Sequence, residues 1–111
     1  MADPSWTPLL PTPAHPEYPS NHSCVTSAQA EVFERFLGTP RIDLDLHGTI
    51  PEMPTRHYAT ADDLRRDVAN GRVWGELHFR FSTEVGGGLG TRVARWTLAH
   101  DFRPQQGHRR G

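Results

Sequence analysis

Six of the first nineteen residues are proline (Pro4, Pro8, Pro11, Pro13, Pro16 and Pro19), against four in the remaining ninety-two. Proline lacks an amide donor and biases the residue before it away from the helical region. Residues 1–19 are therefore predicted to be an extended, irregular lead-in. Any cooperative element must begin at or after Ser20.

From Ser20 the pattern becomes helical. Val25, Ala28, Val32, Phe33 and Phe36 recur at helical spacing, Ser20 suits the N-cap, and Gly38 stands where a left-handed C-cap belongs. Arg41 to His47 alternates, with Ile42, Leu44 and Leu46 opposite Asp43, Asp45 and His47, which reads as a short strand or an extended loop edge. Pro51 and Pro54 predict an irregular segment after it. Thr60-Ala61-Asp62-Asp63 resembles a capping box with Asp in place of Glu, opening a helix over about Ala61–Asn70 with Leu64 and Val68 as its buried stripe. Gly71 is expected to stop it, leaving Arg72 just past the end. A last helix is predicted from Leu77 or Ser82 to Ala99, with Val85, Leu89, Val93 and Trp96 on one face, before a polar tail over 101–111. The fold class that follows is all-α: a partial bundle of about three helices over residues 20–100, after the proline-rich lead-in.

The chain has 111 residues and a formal net charge of −1, so it is one small domain with no charge-driven attraction to nucleic acid or membranes. No run approaches the roughly 18 apolar residues of a membrane span. The first residues lack the basic and apolar regions of a secretory signal, which sets a cytoplasmic expectation. Cys24 is the single cysteine, so no internal disulfide forms. None of the seven histidines shows i, i+4 or His-Glu-x-x-His spacing, which argues against zinc. Gly86-Gly87-Gly88-Leu89-Gly90 is not followed by Lys-Ser/Thr; close helix packing accounts for it better than a nucleotide loop. Asp62, Asp63, Arg65, Arg66 and Asp67 read as a solvated helix face.

The chemistry concentrates in two stretches. In Pro19-Ser20-Asn21-His22-Ser23 a hydroxyl, an imidazole and unpaired first-turn amides stand at a helix start, where donors and dipole both favour an anion. His22, three residues before Val25, is expected to lean toward the buried face and to exchange a proton with a bound oxyanion. Arg72 offers two parallel N–H bonds to such an anion, and His78, six positions on, offers a ligand or a nucleophile. The plainer readings are that Ser20 and His22 only cap a helix and that Arg72 only caps the carboxyl end of the preceding one.

Tyr18-Pro19-Ser20-Asn21-His22-Ser23 and the run from Arg72 to Phe81 resemble the second and third motifs, Pro-Ser-Gly-His and Arg-x5-His, of the vanadium-dependent haloperoxidase and type 2 phosphatidic-acid phosphatase superfamily. The resemblance spans residues 15–97 and implies an all-α bundle. It also implies that Ser20, Asn21 and Arg72 bind oxyanion oxygens and that His22 is the general acid–base. His78 would be the axial ligand of vanadate in a peroxidase, or the phosphorylated nucleophile in a phosphatase. The partners implied are a small oxyanion, or phosphoester, halide and peroxide substrates. Halide oxidation and phosphoester hydrolysis share one such cradle, so the motifs admit both.

Three positions depart from the family pattern. Its first motif, a Lys six residues ahead of Arg-Pro, belongs upstream of Pro19, where the eighteen preceding residues hold neither Lys nor Arg; the chain has no lysine at all. Each missing charged hydrogen bond is worth about 1.5–3 kcal/mol, which predicts weakened oxyanion binding. Asn21 replaces Gly, which negative φ in a first turn tolerates. Ser82 replaces the Asp that would orient the motif-three imidazole, leaving Glu84, Asp43 or Asp45 as candidates for that task. Two readings follow: an enzyme domain completed by a partner or an upstream segment, or a truncated, non-catalytic remnant or interaction protein of the same fold. Three helices leave apolar faces carrying Phe33, Phe36 and Trp96 uncovered, which predicts either oligomerisation or marginal stability.

Overall fold

The computed structural model describes residues 2–103 and runs α1 (Asn21–Leu37), β1 (Arg41–Leu46), β2 (Arg56–Thr60), α2 (Ala61–Trp74) and α3 (Arg80–His100). Most of the polar tail expected over 101–111 lies outside these residues. The helices begin and end where short-range chemistry directs. Ser20 Oγ accepts from the Ser23 amide at 3.3 Å, and Gly38 adopts φ +69° while its amide donates to the Glu34 carbonyl. The Asp63 amide donates to Thr60 Oγ1 at 3.1 Å, and the Thr60 amide donates back to Asp63 Oδ2 at 3.2 Å, completing the capping box. Thr60→Ala is expected to cost about 1 kcal/mol in urea denaturation, with the midpoint moving and the slope unchanged.

Three expectations need correction. First, α2 does not stop at Gly71 but continues to Trp74, because the Gly71 carbonyl accepts from the Gly75 amide at 3.0 Å and sustains the last turn. Glycine lowers helix propensity by only ~1 kcal/mol, which tertiary context overrides. Arg72 therefore stands inside the final helical turn. Second, the bundle carries a small antiparallel sheet. The alternating stretch is a true strand, β1, and its partner β2 forms in the segment expected to be irregular, with Leu44 opposite Tyr58 and Asp45 opposite His57. The ladder is irregular between Arg41 and Leu44, where Asp43 has φ +43°, so Ile42 and Leu44 are half-buried while Leu46 is exposed.

Third, the helices bury a different face from the apolar one. Val25, Val32, Phe33 and Phe36 of α1 are exposed, as are Val85, Leu89, Val93 and Trp96 of α3. The contact is made instead by Ser23, Ser27 and Ala30 of α1 against Ser82, Gly86, Gly90 and Ala94 of α3. A Cβ built on Gly86 would collide with the Ser20 carbonyl oxygen, and one on Gly90 with that of Cys24. The glycines thus serve close packing, bringing α3 onto the backbone of α1. The faces holding Phe33, Phe36 and Trp96 remain uncovered, as expected from three helices alone.

Glu31, 3% exposed, joins all three helices. Its Oε1 accepts from Arg35 Nε at 2.9 Å and from Arg95 Nε at 2.8 Å, while Arg65, in contact with Oε2, also bonds Glu34 and Asp62. Part of the charge run read as a solvated face is therefore a structural clasp. No helix among the described residues is long and apolar enough to cross a membrane.

Candidate functional site

The lead-in is irregular, as its prolines require, but it is not a spacer. It returns across the α2–α3 connection. The Leu9 amide donates to Glu76 Oε2 at 2.8 Å, and the Leu10 amide donates to the Gly75 carbonyl at 3.3 Å. Further along, the Phe79 amide donates to Glu17 Oε1 at 2.8 Å. Phe79 is the N-cap of α3 and supplies no side-chain cap; the Glu17 carboxylate, accepting from its amide, stands at the positive end of the helix dipole.

This crossing sets His78. Its side chain is fully buried, and Nδ1 donates to the Glu17 carbonyl at 2.6 Å. A carbonyl only accepts, so the proton sits on Nδ1 and, in the neutral ring, Nε2 carries a lone pair. The Glu17 carboxylate stands 3.6 Å from the same Nδ1. Glu17 therefore takes the orienting task for which Glu84, Asp43 and Asp45 were candidates. Asp43 and Asp45 face His57 across the sheet instead, and Glu84 is exposed. The neighbouring Ser82 hydroxyl, then the Phe79 amide and His78, hold the Glu17 carboxyl below its usual range, although fully buried Ser82 Oγ makes no aligned hydrogen bond.

The residues of the two motifs converge from three directions. Ser20, Asn21 and His22 come from the start of α1, Arg72 from the last turn of α2, and His78 from the connection to α3. The Ser20 amide donates to the Ser82 carbonyl at 3.0 Å, which ties the first motif to α3, and the Arg72 carbonyl accepts from the amides of Leu77 and His78. Ser20 is fully buried with its oxygen engaged by the cap, leaving its O–H as the free donor; Asn21 is exposed. His22 does not lean into the core as expected: the residue is exposed, because position two of α1 lies at the open end of the bundle. Its ring still points into the site. Burial of the ring, then the charges of Arg72, His15 and His78, pull its pKa below the ordinary value, so it is neutral at pH 7.

Among the described residues Arg72 has no anionic partner. Nε and Nη2 are buried without a hydrogen-bond acceptor among the described residues, and burial alone draws its pKa down. His78 Nε2 is likewise buried and unpartnered. Buried polar atoms left without a partner, donors on Arg72 and an acceptor on His78, are costly. Sequence spacing missed one more member. The His15 ring lies 5.8 Å from the rings of both His22 and His78, stacked on the latter, and the three imidazoles have ligand atoms within 4.8 Å of one another. The signal lay in the lead-in, where His15 precedes Pro19 by only four residues, but a contact with a residue so far along the chain left no local trace. A groove elsewhere, between the C-terminal halves of α1 and α3, is lined by Val32, Phe33, Phe36, Val93 and Phe102 and holds none of these groups.

The fold and site together define a helical-bundle domain that gathers three imidazoles and an unpaired guanidinium at one end. The VCPO second helical-bundle domain matches residues 1–107, and the chain belongs to that family. It is similar in structure to a bacterial vanadium-dependent iodoperoxidase (29% identity, TM-score 0.77), covering 86% of this chain and 23% of that one. It is also similar to a bacterial vanadium-dependent chloroperoxidase in holo form (24% identity, TM-score 0.69, 82% and 22% covered) and in apo form (25%, TM-score 0.68, 81% and 22%). The chain thus spans under a quarter of the length of these proteins. Comparison with curated proteins finds no match.

Proposed function

We propose that this domain carries part of a vanadate- or phosphate-binding site of the haloperoxidase type. The observation that carries the reading is the set of buried, unpartnered polar atoms on Arg72 (Nε, Nη2) and His78 (Nε2) beside the open N-terminus of α1. These residues fit a tetrahedral oxyanion. Arg72 would donate to two of its oxygens, and the Asn21 amide and Ser20 hydroxyl to others. His78 would ligate vanadium, or attack phosphorus, through Nε2, with Glu17 holding the ring in the tautomer that leaves this nitrogen free. His22, neutral at pH 7, is the group able to accept a proton from a ligand oxygen or from solvent. Vanadate, when bound, supplies a Lewis-acidic centre. Kinship with chloro- and iodoperoxidases favours halide oxidation over phosphoester hydrolysis.

The exposed faces bearing Phe33, Phe36 and Trp96 support a site completed from outside, in which a further helical segment or a second copy of the chain covers them and adds cationic groups. Calorimetric titration with orthovanadate tests the core of the reading. The wild-type chain is expected to bind at or below millimolar concentration. Arg72→Ala is expected to weaken binding by roughly 10–150-fold, the equivalent of one charged hydrogen-bonded contact. No heat above dilution from the wild type at several millimolar ligand would refute the reading.

A further inference from the structure

We infer that His15, His22 and His78 form a binding site for a single divalent transition-metal cation of the zinc, cobalt or copper class. The ligand nitrogens of the three rings lie within 4.8 Å of one another, and an ion among them would draw them in to metal–imidazole distances of about 2.0–2.1 Å. Two of the rings are already set as metal-ligating imidazoles are. His78 donates Nδ1–H to the Glu17 carbonyl at 2.6 Å, and His15 donates Nδ1–H to the Pro16 carbonyl at 3.1 Å. Each bond assigns the proton to Nδ1 and leaves Nε2 as a lone pair, and both Nε2 atoms are buried with no partner among the described residues. An imidazole anchored through one nitrogen and bare at the other is the donor that a borderline-soft cation selects. His22, on the exposed side, closes the set and leaves an entry path from solvent.

Three neutral nitrogens with one side open to water match the open coordination of catalytic rather than structural zinc. Arg72, in the last turn of α2 at the same end of the bundle, repels a bare cation, so the fourth position is expected to hold an anion or hydroxide. The inference goes beyond the oxyanion reading and does not depend on it. The two occupants compete, however, for His78 Nε2.

The test uses the untagged full chain, stripped with chelator, in a buffer free of phosphate and imidazole. Zn2+ alone is titrated by calorimetry, and Co2+ alone by visible absorption, which reports tetrahedral nitrogen coordination. One equivalent is expected to bind with an intense cobalt band. His15→Gln and His22→Gln, which alter no fully buried side chain, are each expected to weaken Zn2+ binding by at least the roughly 10–100-fold that even an outer-shell partner is worth. His57→Gln, in the sheet, should leave it unchanged. His78→Gln is to be checked for folding by circular dichroism before its loss of binding is counted. Absence of saturable binding by the wild type, or binding unaffected by both His15→Gln and His22→Gln, would overturn the site. Orthovanadate titration of the same metal-free protein separates the two readings: vanadate binding without metal binding sinks only the metal site, and metal binding without vanadate binding sinks only the oxyanion site.

Discussion

Gly90→Val is expected to destabilise the domain by about 3 kcal/mol or more, the upper end of what overpacking costs. A Cβ at this position would overlap the Cys24 carbonyl oxygen and stand 2.8 Å from its carbonyl carbon and 3.1 Å from the Ala28 amide nitrogen. Those are backbone atoms of α1, which cannot rotate away, so α3 itself would have to move off. Gly86→Val should act similarly and also displace Ser20, whose carbonyl and amide flank Gly86 and whose hydroxyl caps α1. Gly88 is the control. Nothing lies within 4 Å of a Cβ there, so Gly88→Ala should stabilise by about 1 kcal/mol through helix propensity alone. Urea denaturation read by circular dichroism decides the matter. A Gly90→Val chain within 1 kcal/mol of wild type would mean that the two helices do not approach so closely.

Glu31→Gln is expected to cost about 2–3 kcal/mol at pH 7, because the buried carboxylate accepts charged hydrogen bonds from arginines on both neighbouring helices. The loss stays below that of a wholly buried pair, since Arg35 and Arg95 have exposed side chains and can turn to water. The same clasp sets a pH dependence. Arg95 first, then Arg35, hold the Glu31 carboxyl below its ordinary 4.5 against the opposing effect of burial. With the folded pKa depressed, the unfolded chain binds more protons as pH falls, and stability falls with it. The contribution is complete above 4.5 and is lost as pH drops through the folded value. In Glu31→Gln the acid limb of the stability–pH curve should be shallower than in wild type. Parallel curves for the two proteins would show that Glu31 carries no such linkage.

What was legible in the chain depended on distance along it. Ser20, Gly38 and the Thr60–Asp63 box announced helix ends because capping joins residues within four positions of each other. Strand β2 left no such mark. Arg56–Thr60 has no alternation of its own and is held by its ladder to β1 and by bonds from Arg56 and Tyr58 to Asp67. The buried faces were misjudged for a different reason. Helical periodicity identifies an apolar stripe, and apolar stripes are ordinarily covered. Here the adjacent stripe of serine, glycine and alanine lets α1 and α3 meet backbone to backbone, and the larger residues stay outside.

The site divides along the same line. Ser20, Asn21, His22, Arg72 and His78 could be named as candidates because two short motifs, each within a few residues, supply a helix N-terminus, a guanidinium and an imidazole. His15 and Glu17 could not be, since nothing local connects Glu17 with His78, sixty-one positions away. By itself the sequence determined where α1 starts and stops, where α2 starts and which chemical groups were on hand, because the Ser20, Gly38 and Thr60 caps are bonds between near neighbours. Only the tertiary structure decided which helix faces met, that Glu17 orients His78 where an aspartate was expected, and that a third imidazole joins the site. The first depends on the close approach of the glycines of α3 to the backbone of α1, and the other two on the lead-in crossing the α2–α3 connection, long-range closures that no local preference encodes.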